Sequence, residues 1–261
     1  MDGTLTPARM PIEGHVLKAL DSLYNTDVHA IGIVSGSPYE YIIQQIAPAL
    51  EIFPKKTLIM PCNGTQLLLW NESAHKYEVN YEIDMKQYLK KCVSEDAYSM
   101  LIKFILELQI EFINKNPEFL GLTGQFISYR KSMINWSPVG REAQTLQRRQ
   151  FVELDMKKCA RISLRKKLQE RLDTSGIDCI DLKLGGSTSI DIHPTGWDKT
   201  HALVHCEDSA VWFVGDKCQP EGNDYTLWAA LSESGRSFSV SNPSETVEII
   251  KQTIIPGIQG A

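Results

Sequence analysis

Paired cysteines, long apolar runs and an excess of positive charge are all missing from this chain. Six cysteines are present, but no two form a C-x-x-C pair and none clusters with histidine at zinc spacing. They read as reduced thiols that pack. Cys218 stands inside an acidic loop, yet no histidine neighbours it in sequence to take its proton, and the packing reading is preferred over a nucleophile. No apolar run reaches the roughly 20 residues that span a bilayer, and the first residues lack the basic-then-apolar order of a secretory leader. A cytoplasmic protein is therefore expected, with no membrane partner. Lysine and arginine number 27 against 32 aspartates and glutamates, which argues against a nucleic-acid partner, since such binders carry a basic field. Any anion bound here must be met by local arginines. Repeats and low-complexity segments are absent as well, and 43% hydrophobic residues in 261 supply a core for one large domain or two modest ones.

What is present begins with Asp2-Gly3-Thr4-Leu5-Thr6, a carboxylate beside a glycine and a threonine just ahead of a helical pattern (Ile12, Val16, Leu17, Leu20, Leu23). Asp-Gly-Thr is also an ordinary turn. Its weight comes from Val214-Gly215-Asp216 and Glu221-Gly222-Asn223-Asp224, a second acidic loop after a second apolar run. In open α/β sheets, ligands bind at such strand ends. Residues 28–34 read as a buried strand, giving a βαβ rhythm, and Ser35-Gly36-Ser37 follows it. Ser37-Pro38-Tyr39-Glu40 has capping-box form with proline at the first helical position; hydroxyls and free N–H groups there make either a phosphate cradle or a plain helix cap.

Asn63-Gly64 marks a turn between the strand-like runs 57–60 and 65–70. From about Tyr81 the pattern becomes a long helical stretch through Met100, Phe104, Leu108 and Phe112. Strand-like pairs at 124–130 with 133–137 and at 178–184 with 188–192 surround a charged helix at 157–172. Helices with neighbouring strand pairs describe an α+β unit inserted into the βαβ core. The expected division is residues 1–80 and 194–261 for the core and 81–193 for the insertion. After residue 193, Asp198-Lys199 opens a short helix, residues 210–214 form a strand, 224–231 a helix and 236–240 a last strand. Asn242-Pro243-Ser244-Glu245 caps a final helix, and the tail from Pro256 is expected to fray.

Mg²⁺ takes hard oxygen ligands, commonly one or two carboxylates with phosphate oxygens and water. Asp216, Asn223 and Asp224 supply ligands of that kind, although two acidic loops can also merely cap helices. Lys199 would neutralise phosphate charge. A lysine in the first turn of a helix opposes the dipole, a misfit that supports a role.

Together these segments resemble the four motifs of the haloacid dehalogenase (HAD) superfamily. More narrowly, the runs 126–141, 185–199 and 214–225 resemble eukaryotic-type phosphomannomutases, with the likeness spanning nearly the whole chain. The resemblance implies an α/β fold, with a HAD-like Rossmann-type core carrying phosphoryl chemistry and an inserted α+β cap carrying the sugar. It implies a Mg²⁺-dependent enzyme that interconverts hexose 6-phosphate and hexose 1-phosphate through a phosphoaspartate, activated by hexose 1,6-bisphosphate and serving GDP-mannose biosynthesis. It implies pairing through the cap as a homodimer.

Residue by residue, Asp2 matches the general acid and base and a metal ligand. Lys199 matches the lysine of the active site; Ser35, Gly36 and Ser37 match the phosphate loop; Asp216, Asn223 and Asp224 match the metal loop. On the cap, Arg130, Asn135, Arg141 and Arg148 match residues that grip the distal phosphate and sugar, beside Ser189 and Asp191, and Arg9 matches a core arginine at the site entrance. The resemblance puts the nucleophilic aspartate one residue before Met1, at the end of an apolar central strand. Without that strand its neighbours would be left unpaired and a core face open. An omitted preceding segment is expected; a mis-assigned start or a real loss is the alternative, and a real loss would leave a phosphosugar binder without turnover. Pro38, Tyr41 and Glu221 stand where the family commonly has aspartate, lysine and glycine. Mannose and glucose both stay open as the sugar, and a sugar-phosphate phosphatase using the same chemistry stays open as the reaction.

Overall fold

The computed structural model describes residues 1–206 and 210–260. The chain forms two compact units, one of Met1–Glu82 with Trp197–Ala261 and one of Ile83–Gly196.

In the first unit, helix α1 (Gly14–Tyr24) buries Val16, Ala19, Leu20 and Leu23, the single stripe that a 3.6-residue period puts on one face. Strand β1 (Ile31–Val34), helix α2 (Tyr39–Ile52) and strand β2 (Thr57–Met60) make a βαβ unit whose strands pair in parallel from Ile31 opposite Thr57 to Val34 opposite Met60. Strands β3 (Gln66–Asn71) and β4 (Lys76–Glu82) extend this sheet antiparallel, in the order β1-β2-β3-β4. Strand β4 was not legible in the sequence. Its Lys, Glu and Asn face outward, and Tyr81, expected to begin a helix, lies inside it.

The remaining strands of this unit form a separate parallel pair, β9 (Phe213–Gly215) with β10 (Ser237–Ser239). A cavity of about 270 Å³ is lined by residues 28–34 and 210–214 together with Leu20, Leu23, Leu227 and Ile254, and by Met1, Thr4, Lys199 and Asp224. Strands β1 and β9 both start later than the sequence suggested: among the described residues, 28–30 and 210–212 are not part of a strand. The expected fraying of the tail is not seen: helix α9 (Ile255–Gln259) runs on from helix α8 (Pro243–Ile249) through one π-helical turn, and Gly257 lies against the Trp212 ring.

The second unit carries the antiparallel sheet β5 (Ile127–Tyr129), β6 (Ile134–Trp136), β8 (Ser189–Pro194) and β7 (Ile180–Gly185), in that spatial order. The helical stretch read as one is two helices, α3 (Met85–Cys92) and α4 (Ala97–Lys115). Helix α4 buries Leu101, Ile105, Leu108 and Phe112. The charged helix is α6 (Ala160–Thr174), and a helix that the pattern did not mark, α5 (Thr145–Lys158), precedes it across Cys159, whose φ of 49° is left-handed. Trp136 Nε1 donates to Gln109 Oε1 at 2.8 Å while Gln109 Nε2 donates to the Pro138 carbonyl at 3.0 Å, so β6 is fixed to α4 by a buried, satisfied pair. Among the described residues no helix is long and apolar enough to cross a membrane.

Candidate active site

In the first unit the two acidic loops meet. The carbonyl of buried Met1 accepts from the N–H groups of Thr4, Leu5 and Thr6, at 3.2, 2.9 and 3.2 Å, which curls Asp2-Gly3-Thr4 into a tight loop. Thr4 Oγ1 then donates to Asp216 Oδ1 at 3.0 Å, across 212 residues of sequence. Gly3 has a φ of +80°, and a Cβ there would stand 2.6 Å from Asp216 Oδ2. Only glycine lets the backbone lie that close to the carboxylate in that conformation. Asp2 is half-buried, and its Oδ1 accepts from the Arg9 backbone N–H at 3.1 Å, while the Arg9 side chain is exposed.

Asp224 lies behind this pair, buried at 2% exposure just ahead of helix α7 (Tyr225–Ser232). Its Oδ1 accepts from Lys199 Nζ in an ion pair and its Oδ2 from the Lys217 N–H at 3.0 Å. Burial pushes this carboxyl up, but the Lys199 ammonium and the bonds from Lys199 and Lys217 draw its pKa down to about 2. Lys199 is itself 4% exposed and opens a 3₁₀ helix, Lys199–His205, capped by Asp198. Asn223 is half-buried in the 216–224 loop, which closes tightly because Gly222 lies against the Lys217 carbonyl. Cys218 does not join the chemistry. Burial, then Asp224, pushes its thiol up to about 11, and its Sγ lies 3.4 Å from the Gly215 carbonyl.

The Ser35-Gly36-Ser37 loop follows β1. The capping box does not form: Pro38 is the N-cap of α2 rather than its first residue and no side chain caps the helix, while the Ser37 N–H donates to Ser35 Oγ at 3.1 Å. The S-x-x-E pattern is shared by real capping boxes and by this loop, in which Ser35 takes the N–H that a helix N-terminus would have offered.

The oxygen donors fit Mg²⁺. Among the described residues no three His, Cys, Asp or Glu side chains form a metal cage. Two carboxylates on adjoining loops, Asp2 and Asp216, are what this ion accepts when phosphate and water complete its shell, and the close approach of Gly3 to Asp216 is what brings the loops together.

The second unit holds the other predicted residues. Asn135 on β6 stands opposite Asp191 on β8 and donates to its Oδ1 at 2.5 Å, and Arg141 donates to Asn135 Oδ1 at 2.8 Å. Gly185 on β7 makes room, since a Cβ there would reach 2.6 Å from Asp191 Oδ2. This chain of three holds one face of the half-buried Arg141 guanidinium. Arg148 donates to Ser187 Oγ at 3.1 Å in the turn between β7 and β8, and Ser189 Oγ donates to the Gly185 carbonyl at 2.7 Å in the same turn. Arg130, 9% exposed, sits at the end of β5, where Lys131 takes a left-handed φ of 65°.

Several residues that shape the site escaped sequence reading. Thr246 Oγ1 donates to the Thr4 carbonyl at 2.7 Å, and Gln45 Oε1 accepts from Thr6 Oγ1 at 2.8 Å. Nothing local marks either one. Asn63-Gly64 gave a signal, a turn, and the structure adds that its backbone reaches the Ser35–Ser37 loop.

A family model described as eukaryotic phosphomannomutase matches residues 18–256. The phosphomannomutase of Saccharomyces cerevisiae is 31% identical over 256 residues, covering 97% of this chain and 91% of its own. Phosphomannomutase 1 of Homo sapiens is 30% identical over 263 residues, covering 98% and 90%. Among solved structures, IMP-bound Plasmodium falciparum IMP-nucleotidase superposes with a TM-score of 0.59 at 16% identity, over 100% of this chain and 66% of that one. That likeness shows the fold alone, an α/β fold as the sequence led us to expect.

Proposed function

Because this chain belongs to the eukaryotic phosphomannomutase family, we propose that it moves a phosphoryl group between O6 and O1 of a hexose phosphate, in a Mg²⁺-dependent reaction started by a hexose 1,6-bisphosphate. The observation that carries this reading is the junction of Gly3, Asp216, Asp224 and Lys199, four residues from both ends of the sequence around one carboxylate-lined point.

By the resemblance, the phosphoryl acceptor is an aspartate two positions ahead of the one that Asp2 matches. Asp2 gives a proton to the departing sugar oxygen and takes one from the attacking hydroxyl, held by the Arg9 N–H. Ser35, Gly36 and Ser37 hold the phosphoryl oxygens. Lys199, oriented by Asp224, offsets the repulsion between two anions. Mg²⁺, held by Asp2, Asp216 and Asn223 with Asp224 behind them, would supply further charge neutralisation.

In the second unit Arg130, Arg141 and Arg148, with Asn135, Ser189 and Asp191, bind the phosphate and sugar that are not reacting. Guanidinium forks suit a phosphate that must be gripped in either orientation of the sugar. The Asn135–Asp191 pair holds Arg141 ready at little entropic cost. A homodimer is part of the same proposal, supported by Leu106 and Ile110, exposed one turn apart on α4.

The test is ³¹P NMR of the purified protein with Mg²⁺ and either mannose or glucose 6-phosphate, with and without the bisphosphate. Exchange into the 1-phosphate that requires the bisphosphate supports the mutase. Release of orthophosphate without it would replace this reading with a phosphatase, and thermal stabilisation by sugar phosphate with neither product would replace it with a binding protein.

A further inference from the structure

The 3₁₀ helix that carries Lys199 is seven residues long, and runs of that geometry rarely exceed three or four without outside support. Besides the Asp198 cap and the Lys199–Asp224 pair, it is supported by a neighbouring turn and a tyrosine. His205 Nε2 donates to the Gly64 carbonyl at 2.7 Å, because a carbonyl can only accept. His201 Nε2 meets Tyr81 Oη at 3.2 Å, and the Tyr81 ring stands edge-on to His205 with centroids 5.0 Å apart. Between them Ala202 is pressed on Gly64, where a Cβ would stand 2.7 Å from the Ala202 backbone.

The far side of the same turn holds the phosphate loop. The Asn63 N–H donates to the Ser35 carbonyl at 2.8 Å and the Cys62 N–H to the Ser37 carbonyl at 3.2 Å. Both residues take left-handed φ values, 66° and 50°, to present those groups. One short turn, residues 62–64, is therefore bonded to the Ser35–Ser37 loop on one side and to the lysine helix on the other.

We propose that His205, with the Tyr81–His201 pair, is a positioning residue that holds Lys199 and the Ser35–Ser37 loop in one register through the 62–64 turn. This rests on the phosphoryl-transfer reading of that loop and lysine. Neither imidazole touches the reacting atoms. Their effect is on how closely the ammonium and the loop N–H groups converge on one phosphoryl group, a placement on which transfer depends steeply.

The experiment compares H205L, which removes the donor, with H205Q, whose amide nitrogen reaches the place of Nε2. Two quantities are read: turnover of hexose 6-phosphate, and the rise in Tm on adding inorganic phosphate. H205L is expected to lower kcat about tenfold with KM changed less than about threefold, and to lose most of the phosphate-induced shift, while H205Q restores both to within about threefold. Equal kcat and equal shift in H205L and the parent would overturn the proposal, as would an H205Q that is as impaired as H205L. Should H205L not fold, Y81F removes only the hydroxyl at His201. A fall in kcat of about threefold at unchanged KM then supports the proposal, and unchanged kcat and phosphate shift overturns it. A parent protein without turnover defeats the proposed function and leaves the phosphate arm to decide the positioning role.

Discussion

Replacing Asp224 by asparagine removes the carboxylate on which Lys199 rests while keeping its size and one carbonyl oxygen. The Asp224 carboxyl falls from 3.8 to about 2 in the folded chain, led against its burial by Lys199. That difference corresponds to about 2 kcal/mol of stability at neutral pH, at 1.36 kcal/mol per pKa unit, and no solvent discount applies to a side chain this buried. Because the folded pKa is depressed, the contribution is present in full above pH 4, roughly half gone at pH 3, and lost as pH falls through 2. For a unit of this size the neutral-pH loss corresponds to a drop in Tm of about 4–8 °C, and the uncompensated Lys199 ammonium adds to it. The assay is calorimetric Tm of parent and D224N at pH 7, 5, 4 and 3, in chelator so that metal binding does not enter. The gap should be widest at pH 7 and narrow toward pH 3. A D224N protein whose Tm tracks the parent within about a degree at pH 7, or a gap indifferent to pH, would refute the reasoning that this buried pair is charge-balanced.

Gly3→Ala puts a Cβ at 2.6 Å from Asp216 Oδ2 and forces an unfavourable φ, so a loss of about 1–3 kcal/mol is expected in denaturant titration, with a weaker Mg²⁺ response of Tm. Arg141→Ala should raise the Kd for sugar phosphate about 10- to 100-fold by calorimetry, the worth of one charge-assisted pair, and Arg141→Lys should recover only part, since a point charge cannot fork. Asp2→Asn should abolish phosphoryl turnover in the ³¹P assay while sugar-phosphate binding persists; unchanged turnover would remove Asp2 from the role of acid and base.

The acidic loops were legible because strand ends announce themselves, as apolar runs closing on glycine and aspartate. Two such loops at strand ends point to one shared site, and the family resemblance carries the same reading. The Thr4–Asp216 bond that joins them spans 212 residues and leaves no local mark. Where local pattern failed, a tertiary partner had decided. Ser37 reads as a cap, but the loop bonds to itself and to the 62–64 turn. Residues 76–82 are too polar for a buried strand, yet β3 pairs with them along their length. Pro256 looks like a terminus unravelling, although Gly257 packs on Trp212. His201 and His205 gave no signal at all, since the tyrosine that makes sense of them lies 120 residues earlier.

Cys159, the left-handed joint between α5 and α6, is also an exposed free thiol. Storage without reductant therefore offers an oxidant a sulfur at the residue whose backbone turns one helix into the next, and a disulfide formed there would join two copies at that joint.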